Sequence, residues 1–210
     1  MTRTVVTQEG SLPAMPGQQP LDRDRRVWLT ATSVAGGAGL VATAVPFVAS
    51  MAPSERARAL GAPVEIDVAS IQPGELKTVE WRGKPVFVLR RTSDMLKALN
   101  QIDALLADPG SRRSEQPEYT VNVARSVKPE ISVMVGICTH LGCIPTFRPT
   151  PGAPDIGASW PGGFYCPCHG SKFDLAGRVF KNVPAPTNLV VPPYHFTSES
   201  RLLIGAGPKA

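Results

Sequence analysis

Whatever this chain folds into must bring two distant loops together. All four cysteines and two of the three histidines lie in two short blocks, G-I-C-T-H-L-G-C-I-P at residues 136–145 and F-Y-C-P-C-H-G-S-K-F-D at residues 164–174. Written as C-x-H-x-x-C and C-x-C-H, the blocks offer a set of two soft thiolates and two imidazoles, Cys138, His140, Cys166 and His169. Cys143 and Cys168 are then left over, one in each block. A bond between these two would clamp the loops over a site, given an oxidising compartment. Two other readings stay open on the residues alone: a structural Cys2His2 zinc, or two disulfides with the histidines idle. A C-x-x-C redox pair is absent from the sequence.

A second feature fixes the compartment. From Val27 to Ser54 no side chain is charged. Taken as helix to Met51, about 25 residues at 1.5 Å each reach roughly 37 Å, enough to cross a hydrocarbon core of about 30 Å. Ala35, Gly36, Gly39 and Thr43 form a small-residue stripe along it, and Pro46 falls near its outer end. The D-R-D-R-R-V-W-L-T stretch just before it, with Arg25-Arg26, is similar to a twin-arginine export signal, which serves domains folded before export. No clear small-x-small cleavage site ends the apolar stretch, so the reading favours a retained anchor. The basic flank places the N-terminus in the cytoplasm and the bulk of the chain outside it.

The remaining chain divides accordingly. Residues 1–24 read as a polar cytoplasmic tail, 25–51 as the transmembrane anchor, 52–63 as a flexible Pro/Ala/Gly tether with little packing of its own, and 64–210 as one domain. With 19 glycines and 22 prolines and few aromatics, that domain is loop-rich and mainly β. Period-two runs predict strands over residues 64–68, 76–81 and 85–90, the last two joined by a turn at Arg82–Lys84. Thr92 is a plausible helix N-cap, with Met95, Leu99, Ile102 and Leu106 on one face up to the Asp108-Pro-Gly stop. A buried strand over residues 131–137 leads into the first block. Short strands follow near residues 178–180, 189–191, 194–197 and 201–204. The net charge of +5 comes without any basic run, which gives nucleic-acid binding no support.

C-T-H-L-G-C followed by C-P-C-H-G-S resembles the Rieske [2Fe–2S] subunit of quinol–cytochrome c reductase, the cytochrome bc complex, in its bacterial type. The likeness covers anchor, tether and head. It implies an antiparallel β-sandwich with a small cluster-binding subdomain and one inserted helix, preceded by a single transmembrane helix. It implies that Cys138 and Cys166 hold an inner iron, His140 and His169 an outer one, and that Cys143 and Cys168 form a disulfide. Pro184–Pro186 matches the proline loop covering the cluster. Ser171 matches the position whose hydroxyl donates to a bridging sulfide. Phe173 stands where many members carry a tyrosine, and Val183 where a glycine is usual. Residues 147–160 read as an enlarged surface loop.

The chemistry implied is electron transfer. Imidazole in place of thiolate removes negative charge from the cluster, so an added electron meets less repulsion and the potential rises. A ring N–H that ionises on oxidation lets a proton move with the electron. The likeness further implies a subunit of ubiquinol–cytochrome c reductase in a bacterial inner membrane, its head periplasmic. Cytochrome b and a c-type cytochrome would be its partners, ubiquinol the substrate, His169 the residue meeting the quinol, and the complex a dimer. Other readings are the small subunit of an exported oxidase such as arsenite oxidase, a ferredoxin of a ring-hydroxylating oxygenase, and a zinc-binding structural protein. His195 reads as a surface or strand-end histidine, and Trp81 and Trp160 as packing residues. Leu141 is an apolar tip suited to shielding or docking.

Overall fold

In this computed structural model residues 22–208 are described, and they form two units divided at Pro53. The first contains helix α1, Arg23–Ser50, 28 residues long, with Asp22 as its N-cap and Pro46 inside it. Its hydroxyls turn back on the helix: Thr30, Thr32 and Thr43 each donate to the carbonyl four residues before, at 2.8, 2.8 and 3.0 Å. Those three hydroxyls are thereby satisfied within the helix, which suits an apolar solvent. At 1.5 Å per residue α1 spans about 42 Å. Residues 1–21 of the expected tail lie outside the described residues.

The second unit begins with a difference from expectation. Within the stretch read as a bare tether stands a short helix, α2, Glu55–Gly61, capped by Ser54 Oγ, which accepts from Ala57 N at 3.2 Å. Ser at the cap and Glu at the first position make a local start signal that the Pro and Gly on either side obscured.

Nine strands follow, all pairing antiparallel, in three sheets of three. Strands β1 (Val64–Asp67), β8 (Tyr194–Phe196) and β9 (Arg201–Ile204) form one, in the order β1-β9-β8. Strands β2 (Leu76–Trp81), β3 (Lys84–Arg90) and β4 (Ile131–Val135) form the second, and β5 (Thr146–Arg148), β6 (Gly163–Cys166) and β7 (Ser171–Phe173) the third. The β2–β3 hairpin closes at the Trp81–Lys84 pair through Arg82 and Gly83, both at positive φ (53° and 70°). That is the two-residue turn whose twist matches the flanking strands.

The middle sheet carries the architecture. Val86 and Val88 of β3 with Ile131 and Val133 of β4 enter one apolar cluster, together with Trp81, Tyr194, Leu202 and Ile204. Phe87 and Leu89 of β3 with Met134 of β4 enter the other, which also holds Cys138, Cys166, Phe164 and Phe173. Successive strand side chains point to opposite faces, so a strand covered on both sides reads as an unbroken apolar run, and β4 is buried at every position.

The inserted helix α3, Ser93–Leu99, starts at Thr92 as expected, with Thr92 Oγ1 accepting from Met95 N at 3.3 Å. It stops short of the expected Leu106. Arg178 Nη2 donates to the Leu99 carbonyl at 2.6 Å, the acceptor a longer helix would offer to Asp103 N, and Nη1 pairs with the Asp103 carboxylate at 2.8 Å. A 3₁₀ turn over Asp103–Leu105 follows, and Leu106 still reaches the core. Of the late strands, 178–180 survives only as isolated bridges at Val179 and Phe180, and 189–191 makes single bonds to Gly177, Val135 and Glu115. Strands β6 and β7 lie within the second block, where the ligand-loop reading hid them. Of the expected surface loop, Phe147 and Arg148 belong to β5, while Ala153 and Trp160 are buried.

Candidate metal centre

Strand β4 delivers the first block. Gly136 follows it against the face of Phe87, where a side chain has no room. Cys138 N donates to Cys143 O at 2.7 Å and Gly142 N to Cys138 O at 3.0 Å, closing the loop with Gly142 at φ 83°. The second block is the turn of the β6–β7 hairpin, closed by the Cys166–Ser171 pair and by Gly170 N donating to Cys166 O at 2.9 Å. Pro184–Pro186 forms a third segment. Ala185 N donates to Ser171 Oγ at 3.1 Å, and Thr139 Oγ1 donates to Thr187 O at 2.7 Å. Both blocks are thus tied to the proline segment. The positive φ before that segment falls on Asn182 (58°), so Val183 needs no glycine-like backbone and packs on the core instead.

The two blocks meet as required. The rings of His140 and His169 stand 4.8 Å apart at 90°. Cys138 and Cys166 are buried beneath, at 2% exposure each. The sulfurs of Cys143, Cys166 and Cys168 lie within 4.8 Å of one another, so the leftover pair sits directly against a member of the four-ligand set. Burial, then the neighbouring Cys138 thiol, pushes the Cys166 thiol up to about 12. Contact with Cys168 raises Cys143. Such thiols hold their protons unless a cation replaces them. Leu141 and Ile144 lie in the same block as His140 and are 70% and 59% exposed, so the tip of that block is apolar.

A family model described as the Rieske [2Fe-2S] domain matches residues 108–195. The ubiquinol-cytochrome c reductase iron-sulfur subunit of Allochromatium vinosum is 58% identical over 181 residues, covering 86% of this chain and 87% of that protein. This chain belongs to the Rieske iron–sulfur subunit family of ubiquinol–cytochrome c reductase. The like-named subunit of Blastochloris viridis is 41% identical, with 92% and 99% covered. The mitochondrial cytochrome b-c1 complex subunit Rieske of Solanum tuberosum is 48% identical over 76% of this chain, which spans about half (52%) of its length.

The residues fit a Rieske cluster. Two buried thiols and two outward imidazoles supply an uneven donor set in which sulfur faces the core and nitrogen the surface. Ser171 is fully buried, and its Oγ accepts from Ala185 N. Among the described residues its own proton finds no acceptor, which leaves a donor for an electron-rich group. Phe173, fully buried beside the cysteines, supplies none. The tie made by Thr139 was missed from sequence, although a hydroxyl between two ligand positions was the available signal. His195 stands mid-strand in β8, paired with Leu203 and half-buried rather than at a strand end, its Nδ1 3.0 Å from Ala206 O. Trp81 and Trp160 are packing residues, at 7% and 3% exposure.

Proposed function

We propose that Cys138 and Cys166 hold the inner iron of the [2Fe–2S] cluster and His140 and His169 the outer, with Cys143 and Cys168 joined as the disulfide that clamps the loops. The chain is a Rieske electron-transfer subunit of the cytochrome bc1 complex, and this assignment gives its residues their roles. The observation that carries it is the pair of imidazoles 4.8 Å apart at the tip, above two buried cysteines. When bound, the cluster supplies a one-electron acceptor of raised potential.

His169, exposed at the tip, hydrogen-bonds the ubiquinol hydroxyl and is placed to take its proton. Leu141 and Ile144 seat the tip on a complementary apolar surface, which cytochrome b provides and which excludes water from the transfer. Cys138 and Cys166 keep the opposite side of the site dry. The tether over residues 52–63 lets the head carry its electron onward to a c-type haem. Helix α1 is long and apolar enough to cross a membrane. Arg25 and Arg26 keep its start in the cytoplasm as a twin-arginine-like signal, so the head lies in the periplasm of a bacterial inner membrane, within a dimeric complex.

Electron paramagnetic resonance of the reduced, membrane-bound complex tests the ligand set. Serine at Cys138 or Cys166, or glutamine at His140 or His169, abolishes the iron–sulfur signal. Serine at Cys143 or Cys168 leaves a signal that is lost faster on warming. A full signal in any of the first four variants refutes the assignment.

A further inference from the structure

Three arginines are buried in the head: Arg91 at 3%, Arg125 at 1% and Arg178 at 0% exposure. Burying a guanidinium costs several kcal/mol unless its charge is answered. Arg178 is answered by Asp174 at 2.7 Å and Asp103 at 2.8 Å. Arg91 and Arg125 have no carboxylate within 4.0 Å among the described residues. Neutral acceptors hold them instead. Arg125 donates from Nη1 to the carbonyls of Ala176 (3.1 Å) and Gly177 (3.3 Å), from Nη2 to Leu189 O (2.8 Å) and from Nε to Gln116 Oε1 (2.7 Å). Arg91 donates from Nη1 to Ala124 O (2.9 Å) and Leu175 O (3.3 Å) and from Nη2 to Ser126 Oγ (2.7 Å), while its Nε finds no acceptor.

The carboxylates in range are otherwise engaged. Asp174 pairs with Arg178 and accepts from two backbone N–H groups, and Asp108 accepts from the N–H groups of Arg112 and Arg113 and from Ser114. Against three buried guanidiniums stand two buried carboxylates and the half-exposed Asp103, whose charge water screens, so the buried charges are in positive excess. Its location matters. Besides Ala124, the carbonyls held by Arg91 and Arg125 belong to the turn just after β7 and to Leu189, just after the proline segment. Leu175, Ala176 and Leu189 share one apolar cluster with Cys138 and Cys166. Packing alone would be served at lower cost by a neutral side chain.

We propose that Arg91 and Arg125, with Arg178, place an uncompensated positive field behind the sulfur side of the centre and so raise its reduction potential by charge rather than by contact. Carbonyl dipoles satisfy the guanidinium donors without cancelling net charge, and burial weakens its screening by solvent. Burial pushes Arg91 and Arg125 down only to about 10, so both stay cationic at neutral pH. The field offsets the donor that Phe173 lacks. These are positioning residues, since neither touches a ligand or the quinol.

The inference rests on the ligand assignment proposed above, and one experiment separates the two. The complex carrying Arg91→Gln or Arg91→Lys is titrated redox-wise and followed by electron paramagnetic resonance. Presence of the iron–sulfur signal in the parent reports on the ligands, whereas the midpoint reports on the field. Arg91→Gln keeps the signal and titrates at a lower midpoint, and Arg91→Lys, which keeps the charge, titrates with the parent. Parent midpoints in both variants, or an equal fall in both, overturn the proposal. Should Arg91→Gln not accumulate, Asp108→Asn replaces it. That carboxylate is buried at 6% exposure, and losing its negative charge raises the midpoint. An unmoved midpoint there refutes the field.

Discussion

Gly136→Ala adds one methyl group to the backbone entering the first ligand block, and the structure says where it goes. The new carbon would lie 2.5 Å from two ring carbons of Phe87 and 2.8 Å from a third, about 1 Å inside ordinary carbon–carbon contact of roughly 3.5 Å. The backbone is not left-handed there, so the conflict is purely steric. Neither side yields easily. Phe87 is stacked on Phe164 with centroids 5.4 Å apart, and Phe164 rests in turn on Phe147. Gly136 N is tied to Pro85 O at 2.8 Å. Overpacking costs about 1–3 kcal/mol, and with both partners anchored the upper end applies, about 3 kcal/mol. For a domain of this size that lowers Tm by roughly 6–12 °C. Thermal unfolding of the full chain in detergent measures it, and the iron–sulfur signal reports displacement of Cys138. In a Phe87→Leu background the same alanine should cost less than half as much. A parent-like Tm, or an equal cost in both backgrounds, refutes the reasoning.

Other consequences are as direct. Arg178→Met strands the fully buried Asp174 and should cost about 3–5 kcal/mol in denaturant unfolding; a loss below 1 kcal/mol would mean the pair is not holding the turn. Phe173→Tyr supplies a donor beside the cysteines and should raise the midpoint, so an unchanged value would remove that explanation of tuning. Burial would raise the Asp108 carboxyl, but the N–H groups of Arg113 and Arg112 and the Ser114 hydroxyl outweigh it and hold it below its ordinary value. Its stabilisation is therefore present above the unfolded value and lost as pH falls through the folded one. Asp108→Asn should weaken the protein at pH 7, with the two stability curves converging below about pH 4; parallel curves would count against this. Prolines at Ala57 and Ala59 remove the N–H that Ser54 caps and break α2; they should change turnover of the complex while sparing the midpoint, and unchanged turnover would reject a head moving on this tether.

What could be read from sequence was local. Charge-free length identified α1, Arg82-Gly83 the hairpin, and Thr92 the start of α3. The density of Cys and His was enough to require that residues 138–143 and 166–169 meet. What escaped depended on partners far along the chain. The end of α3 is set by Arg178, whose guanidinium bonds Leu99 across 79 positions. The strands β6 and β7 are too short for a period to register, and exist because they pair with each other and β6 also with β5. Arg91 and Arg125 look like surface residues in the sequence, because burial of a guanidinium is visible only once the carbonyls that receive it have been gathered.

The doubly covered sheet β2-β3-β4 makes the head hard to miniaturise. A peptide mimic cut to the metal-gripping half would keep Phe87, Leu89 and Met134 in place but leave Val86, Val88, Ile131 and Val133 facing water. Such a fragment would aggregate along that bared side, so any shortened redox reagent built from this scaffold must carry a redesigned lid over it.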